Sequence, residues 1–259
     1  MHLHLPKPVH GWRSFAGEVG IIVLGVLIAL AAGQWVEELG WRHKAEEAER
    51  AIRSELALDA GVFDDRGMTN SCTKEQLNEI DTIIRKARHT GQIGNVGPIL
   101  GGGSSLVVTS AWDSTLAEGT TSHIPPKRRQ MYAILYPMLV TYIRDLDEEN
   151  RLWAHLRLLQ NNPGRMSDAL LADVAASRVE LGYRAALVNV LAAQALIMIK
   201  GLGIKPDYGF LTGSPGTLGH GTRLDVEKGL RTAGLAEHHC APLIVDGKPL
   251  TAEQQPRSN

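Results

Sequence analysis

His238, His239 and Cys240 stand side by side near the end of the chain, and imidazole beside thiolate is the side-chain chemistry that holds zinc. Three adjacent residues cannot easily face one ion, and no further ligand at zinc-like spacing follows, so the run reads as polar tail rather than metal site. The other cysteine is Cys72, far away in sequence and without a CxxC partner, which excludes zinc-ribbon and thioredoxin signatures. In an oxidising compartment such a distant pair forms a disulfide, and Cys72 to Cys240 is the bond expected here. For nucleophilic catalysis the chain offers no G-x-S-x-G, since Gly213, Ser214, Pro215 and Gly216 lack the spacing. Asp113 and Ser114, with His123 or His155, contain an acid, a hydroxyl and bases, but only a fold could assemble them. The glycine-dense stretch 91–109 lacks the Gly-Lys-Ser/Thr ending and the strand–loop–helix setting of a phosphate cradle, so it reads as an inter-helix connection. No catalytic, metal or cofactor residue is assigned on these grounds.

The elements that would position such groups start at a membrane. Residues 1–14 carry Lys7, Arg13 and the free amine without an acid, and Val19 to Val36 carries no charge at all, about the length of a spanning helix. Trp12 and Trp35 bracket the run, about 34 Å apart on a helix, close to a hydrocarbon thickness, so both rings belong at the headgroups. Glu18 lies in the first turn, where the helix dipole and interfacial water tolerate it. Glu37 and Glu38 follow, and the positive-inside rule keeps residues 1–14 in the cytoplasm and exports the rest across a bacterial inner membrane into the periplasm. Ala29, Leu30 and Ala31 would suit signal-peptide cleavage, but apolar residues continue to Val36 and Glu18 abuts the apolar run, which favours an uncleaved anchor. Gly25, Ala29 and Gly33 recur every four residues, a stripe on which two helix backbones can approach to form a homodimer.

Gly17, Glu18, Val19, Ile21 to Val23, Gly25 to Leu30, Trp35 and Glu37 together resemble the N-terminal signature of domain-of-unknown-function family 6090 (DUF6090), a G-E-(I/V)-led membrane helix followed by W-x-E. The likeness covers about 20 residues and departs after Leu30, where this chain reads AAGQW. It implies a membrane anchor and a helical ectodomain, and no activity.

Beyond the anchor (15–36), an all-α antiparallel bundle is expected over 37–235, with a polar tail at 236–259. A stalk from Glu37 to about Val62 carries Ala45, Ala48, Ile52, Leu56 and Phe63 as a narrow seam. Gly61, Gly67 and Asn70 mark a break before a second helix from Ser71 or Thr73 to Arg88, which bears Leu77, Ile80, Ile83 and Ile84 and ends in Arg88, His89 and Gly91. Ser110 and Asp113 suggest a capping box opening a short helix with Trp112 as a core anchor. A long helix runs from Lys127 to about Gln160, kinked at Pro137. The loop Asn161 to Gly164 turns into another helix capped by Ser167, with Val174, Leu181, Val188, Ala192, Ala195 and Ile199 as its seam. Ala185 to Ile199 is short for a second span and interrupted by Asn189 and Gln194, so it reads as core. A short amphipathic piece is expected around Leu224 to Leu235.

The net charge of −1 shows no bias towards nucleic acid. The expected partners are the lipid bilayer, a second copy through the anchor and an unidentified envelope protein. The leading expectation is a non-enzymatic binding or scaffolding protein held by one helix. Its rival is a periplasmic hydrolase or transferase with an unrecognised site near the glycine-dense loop and Trp112.

Overall fold

The computed structural model describes residues 11–99, 101, 106–161, 164–209, 211 and 243. The described chain is overwhelmingly helical. Helix α1 spans Trp12–Thr90, 79 residues and about 118 Å of rod. It is followed by α2 (Ser110–Ala117), a 3₁₀ turn (Thr120–His123), α3 (Pro126–Leu156), α4 (Leu158–Asn161) and α5 (Asp168–Gly201). Gln92–Ile93 (β1) and Gly164–Arg165 (β2) pair antiparallel and tie the two inter-helix connections together.

The expected break at Gly61, Gly67 and Asn70 does not occur; stalk and second helix are one element. Gly61 and Asn70 each have a tertiary task that helical geometry serves, while Gly67 lies between them in the same helix. A Cβ on Gly61 would lie 2.1 Å from the carbonyl oxygen of Asp207, so glycine is there to admit the chain segment crossing α1. Asn70 Oδ1 accepts from Asn189 Nδ2 at 2.8 Å. Propensity costs of about 1 kcal/mol per glycine are overridden by such packing. At the far end, Gly91 adopts φ 68° and its N–H bonds Ala87 O, closing α1 after Arg88 and His89 as expected.

Cross-helix bonds fix the directions of the three long helices. Going up α1, Arg53 meets Leu202, Arg66 meets Asn189 and Arg178 reaches Leu77 and Asp81, so α1 and α5 run in opposite senses. Tyr132 meets Glu49, Tyr136 meets Glu55 and Glu149 meets Arg66, so α3 runs with α1. Three long helices, two of them parallel, thus stand where four antiparallel ones were expected. Pro137 sits inside α3 without ending it, on the exposed side. Ser167 caps α5 by accepting from Leu170 N at 3.3 Å, and all six expected seam residues of α5 are buried.

The core falls into two clusters. The lower gathers Ile52, Leu56, Phe63, Trp112, Tyr132 and Val188 among others; the upper gathers Leu77, Ile80, Trp153, Leu156, Val174 and Leu243 among others. The glycine-dense connection contributes to the upper one: Ile99 is buried, its N–H bonds Gln160 Oε1, and Gly101 at φ 88° packs on the Trp153 ring. Among the described residues two helices are long and apolar enough to span a membrane, α1 and α5, against the single one expected; the apolar window of α1 is wholly exposed and that of α5 is partly buried.

Gly61→Ala should lower the unfolding free energy by about 1–3 kcal/mol, because the Asp207 carbonyl is backbone and cannot swing away. Gly67→Ala, whose Cβ meets nothing within 4 Å, should be neutral or stabilising in the same denaturant titration followed by circular dichroism.

Candidate functional site

Polar side chains are buried at four levels along α1, at Glu55, Asp59, Arg66 and Gln76, and the first three form the candidate site. Lowest is Glu55, whose carboxylate takes three donors: Tyr136 Oη at 2.8 Å, Ser110 Oγ at 2.9 Å and Ala111 N–H at 2.9 Å. The capping box expected from Ser110 and Asp113 is not what opens α2. Its Ncap, Thr109, makes no side-chain cap, and Glu55 from α1 instead receives the free N–H of the first turn, where the helix dipole favours a negative charge. Trp112 is thereby held in the core, its ring stacked on Tyr136 with centroids 5.4 Å apart.

One turn on, Asp59 is fully buried. Its Oδ1 accepts from Val108 N–H at 3.1 Å, while Oδ2 has no partner among the described residues. Burial pushes this carboxyl up to about 8, opposed by the Val108 bond and helped by the neighbouring Glu55. Asp59 is therefore mostly a neutral acid at pH 7. Tyr142, edge-on to Phe63, is pushed up to about 12, chiefly by burial, and its hydroxyl also lacks a partner among the described residues.

The third level separates the two apolar clusters. Arg66 donates to Glu149 Oε2 at 2.6 Å and to Asn189 Oδ1 at 2.8 Å; Trp153 Nε1 donates to Glu149 Oε1 at 3.2 Å. Arg66 and Glu149 are 5% and 0% exposed, so the pair is desolvated and must be fully satisfied to persist. Arg66, Asn70 and Asn189 also line a cleft of about 200 Å³ between α1 and α5, beside Asp64 and Leu196. A second, shallower cleft lies between α1 and α2, bounded by Lys44, Glu47, Ser110 and Glu118.

The residues that sequence chemistry singled out are dispersed. Asp113 is exposed and meets Thr109 Oγ1, while His123 stacks on Trp41 at 4.6 Å, with Lys44 over the same indole. His155 finds other partners: Nδ1 lies 2.8 Å from Ser177 Oγ and Nε2 lies 3.2 Å from Asp173 Oδ2. A hydroxyl, an imidazole and a carboxylate in contact are the parts of a nucleophilic triad. Here they sit where two helix surfaces meet, with Ser177 mid-helix and its neighbouring N–H groups spent on the α5 ladder, so no donor pair faces a developing oxyanion. The arrangement clamps α3 to α5. Among the described residues no three His, Cys, Asp or Glu gather to hold a metal.

Trp12, Glu18, Gly25, Ala29, Gly33 and Trp35 are all exposed on α1. Cys72 is half-buried on the same helix; Cys240, His238, His239, Gly213 to Gly216 and the piece around Leu224 to Leu235 lie outside the described residues. Asp59 and Arg66 were missed by the sequence reading, although they follow Ala45 and Ile52 at seven-residue intervals on the apolar seam. A charge at a seam position is the signal that finds them.

The geometry defines a helical rod-and-bundle protein with a polar layer inside its core. Comparison with known proteins gives no match to a family model, to a curated protein or to a solved structure.

The folded state keeps a proton on Asp59 that the unfolded chain, at its ordinary value of 3.8, releases. Stability should therefore fall as pH rises from about 4 through about 8, because the folded form binds more protons in that window. Asp59→Asn should flatten this dependence in thermal melts taken from pH 5 to 9. Arg66→Met should cost about 3–5 kcal/mol by stranding Glu149. Adding Glu149→Gln, which keeps an acceptor for Trp153, should restore much of it.

Proposed function

We propose that this chain is a single-pass envelope protein, held in a bacterial inner membrane by residues 15–36 with residues 1–14 cytoplasmic, whose periplasmic helical ectodomain is a non-enzymatic binding or scaffolding module. The observation that carries this reading is the anchor's surroundings: Ile21, Leu24, Leu27, Ile28 and Leu30 are each more than half exposed on a helix that continues unbroken into a packed core. Such a surface is stable in lipid and costly in water. The likeness of Gly17 to Glu37 to domain-of-unknown-function family 6090 supports the same reading.

The apolar length of α5 does not make it a second span in this arrangement. Arg53 bonds the carbonyls of Leu202 and Gly203 at the end of α5, and Arg53 lies 17 residues, about 26 Å, past Val36. The rest of α5 climbs further from the bilayer beside Asp59, Arg66 and Asp81. Homodimerisation through Gly25, Ala29 and Gly33 fits as well. At 100° per residue that stripe lies 140–180° from Ile52, Leu56 and Phe63, on the side of α1 that the bundle leaves open.

A Cys72–Cys240 disulfide belongs to this reading. Leu243 is buried against α1, its N–H on Glu79 Oε2 at 2.6 Å and its carbonyl accepting from Gly97. Three residues reach at most about 11 Å, and Cys72 lies about 10 Å down α1 from Glu79, so the chain between Leu243 and Cys240 is long enough for the bond. The bond would staple the C-terminal segment across α1.

Reporter fusions after Asn259 should be active only outside the cytoplasm, and the mature protein should begin upstream of Val19; activity in the cytoplasm or an N-terminus at Ala32 would overturn the anchor and its direction. Thiol labelling of membranes prepared without reductant should find no reactive cysteine until reductant is added.

A further inference from the structure

Among the described residues the outer surface of α5 has no partner helix, although its sequence is patterned like an interface. Ala172, Ala176, Val179, Tyr183, Ala186, Val190, Ala193 and Ile197 are all exposed and step by four and three throughout. The large members are far from marginal: Val179 is 73% exposed, Tyr183 67%, Val190 52% and Ile197 69%. This is the 3.5-residue period of a supercoiled pair, and it repeats on the outside the period by which Val174, Leu181, Val188 and Ala195 pack on the inside. The exposed face of α3 carries isolated Ile134 and Val140 instead, with no such run.

We infer that this stripe is where a second copy of the chain packs, α5 against α5, in parallel and in register. The inference rests on the anchor reading above, because the anchor dictates the direction. Two copies held in one membrane with the same orientation point their α5 helices the same way, so a two-fold pair must be parallel. In a parallel, in-register pair every seam residue meets its own counterpart, and any charge there would face its like. None of the eight positions is charged. Four alanines interspersed with Val179, Tyr183, Val190 and Ile197 let the backbones approach and interlock. The bilayer is not the occupant, since the end of α5 nearest the anchor, where Leu202 meets Arg53, already lies about 26 Å beyond Val36 along α1 and the rest of the helix lies farther out.

Area decides how such a contact works. The stripe is about 38 Å long and about 10 Å wide, near 400 Å² on each copy, about half of what a standard interface contributes per partner. Alone it is too small for a tight dimer in free solution. Confinement of both copies to one membrane raises the effective concentration enough for it to form. The contact is separable from any pairing through Gly25, Ala29 and Gly33, because the stripe is carried by α5, opposite its packed seam, with only Ala193 at its edge lining the cleft beside α1.

The test uses the full chain in native membranes with a short bifunctional thiol cross-linker. Ile197→Cys and Val190→Cys should each give a covalent dimer, at least ten times more than Ile134→Cys or Val140→Cys on α3. Adding Tyr183→Glu to Ile197→Cys should reduce that dimer several-fold, with circular dichroism unchanged because the site is solvent-facing. Equal cross-linking from α3 and α5 would show random collision and overturn the proposal. So would failure of Ile197→Cys to react with a soluble maleimide in monomeric chain, which would mean another segment covers the stripe, or a cross-linked product with a different protein. Alkaline carbonate extraction of the same membranes separates the two readings. Release of the chain would sink the anchor, whereas retention without an α5 dimer would sink this inference alone.

Discussion

Arg66 is the residue on which the arrangement of the three long helices depends. Its guanidinium reaches Glu149 on α3 and Asn189 on α5 from a position on α1 that is almost without solvent. An ion pair removed from water is costly unless every donor and lone pair is used, and the layer meets that demand by passing bonds on to Trp153 and Asn70. It also accounts for the unbroken α1. Arg66 and Asn70 both bond the side chain of Asn189, which requires them one helical turn apart on the same face, so the backbone must stay helical through Gly67. A local preference for breaking there is outweighed by a buried charge that would otherwise lose its partners.

Continuity of α1 links the proposed anchor mechanically to the core. The first buried residue, Ala45, comes nine residues after Val36, about 14 Å along the axis, and the interval has no proline, no positive-φ residue and no change of helix type. Trp41 fills that interval against His123. Rotation or tilt of the anchor in lipid is then transmitted to the face bearing Glu55, Asp59 and Arg66 without a hinge to absorb it. A scaffold that must hold a fixed height and heading above a membrane gains from this rigidity.

Much of the helical pattern was legible in the sequence because seams with seven-residue spacing and cap residues act locally. Ser167, Gly91, the α5 seam and Trp112 as a core anchor are of that kind. What stayed hidden depends on contacts between distant segments. Gly61 reads as a break until Asp207 is seen pressed against it, and Ser110 reads as the start of a capping box until Glu55 is found already doing the capping from another helix. The candidate site was less legible still. Asp113, His123 and His155 were picked by residue type, but type does not say which faces converge; His155 met Ser177 and Asp173, an i, i+4 pair on α5 that only its meeting with α3 makes notable.

Placing charges on a seam is thermodynamically wasteful, and the waste has a specific return. An apolar three-helix bundle with heptad seams can slide by seven residues at little cost, since one apolar layer resembles the next. Here α3 cannot slide against α1. Moved one heptad down, Glu149 would sit beside Asp59 and Leu156 beside Arg66, leaving acids together and a cation stranded. Moved one heptad up, Tyr142 would face Arg66, and Glu149 would face Thr73. Either slip leaves Arg66 without its carboxylate in a dry core, a cost of several kcal/mol that exceeds what shifted apolar contacts could return. A heptad slip would leave the same faces inward, so the buried charge on α1 fixes the height of α3 along the bundle, a choice that the apolar seams alone do not make.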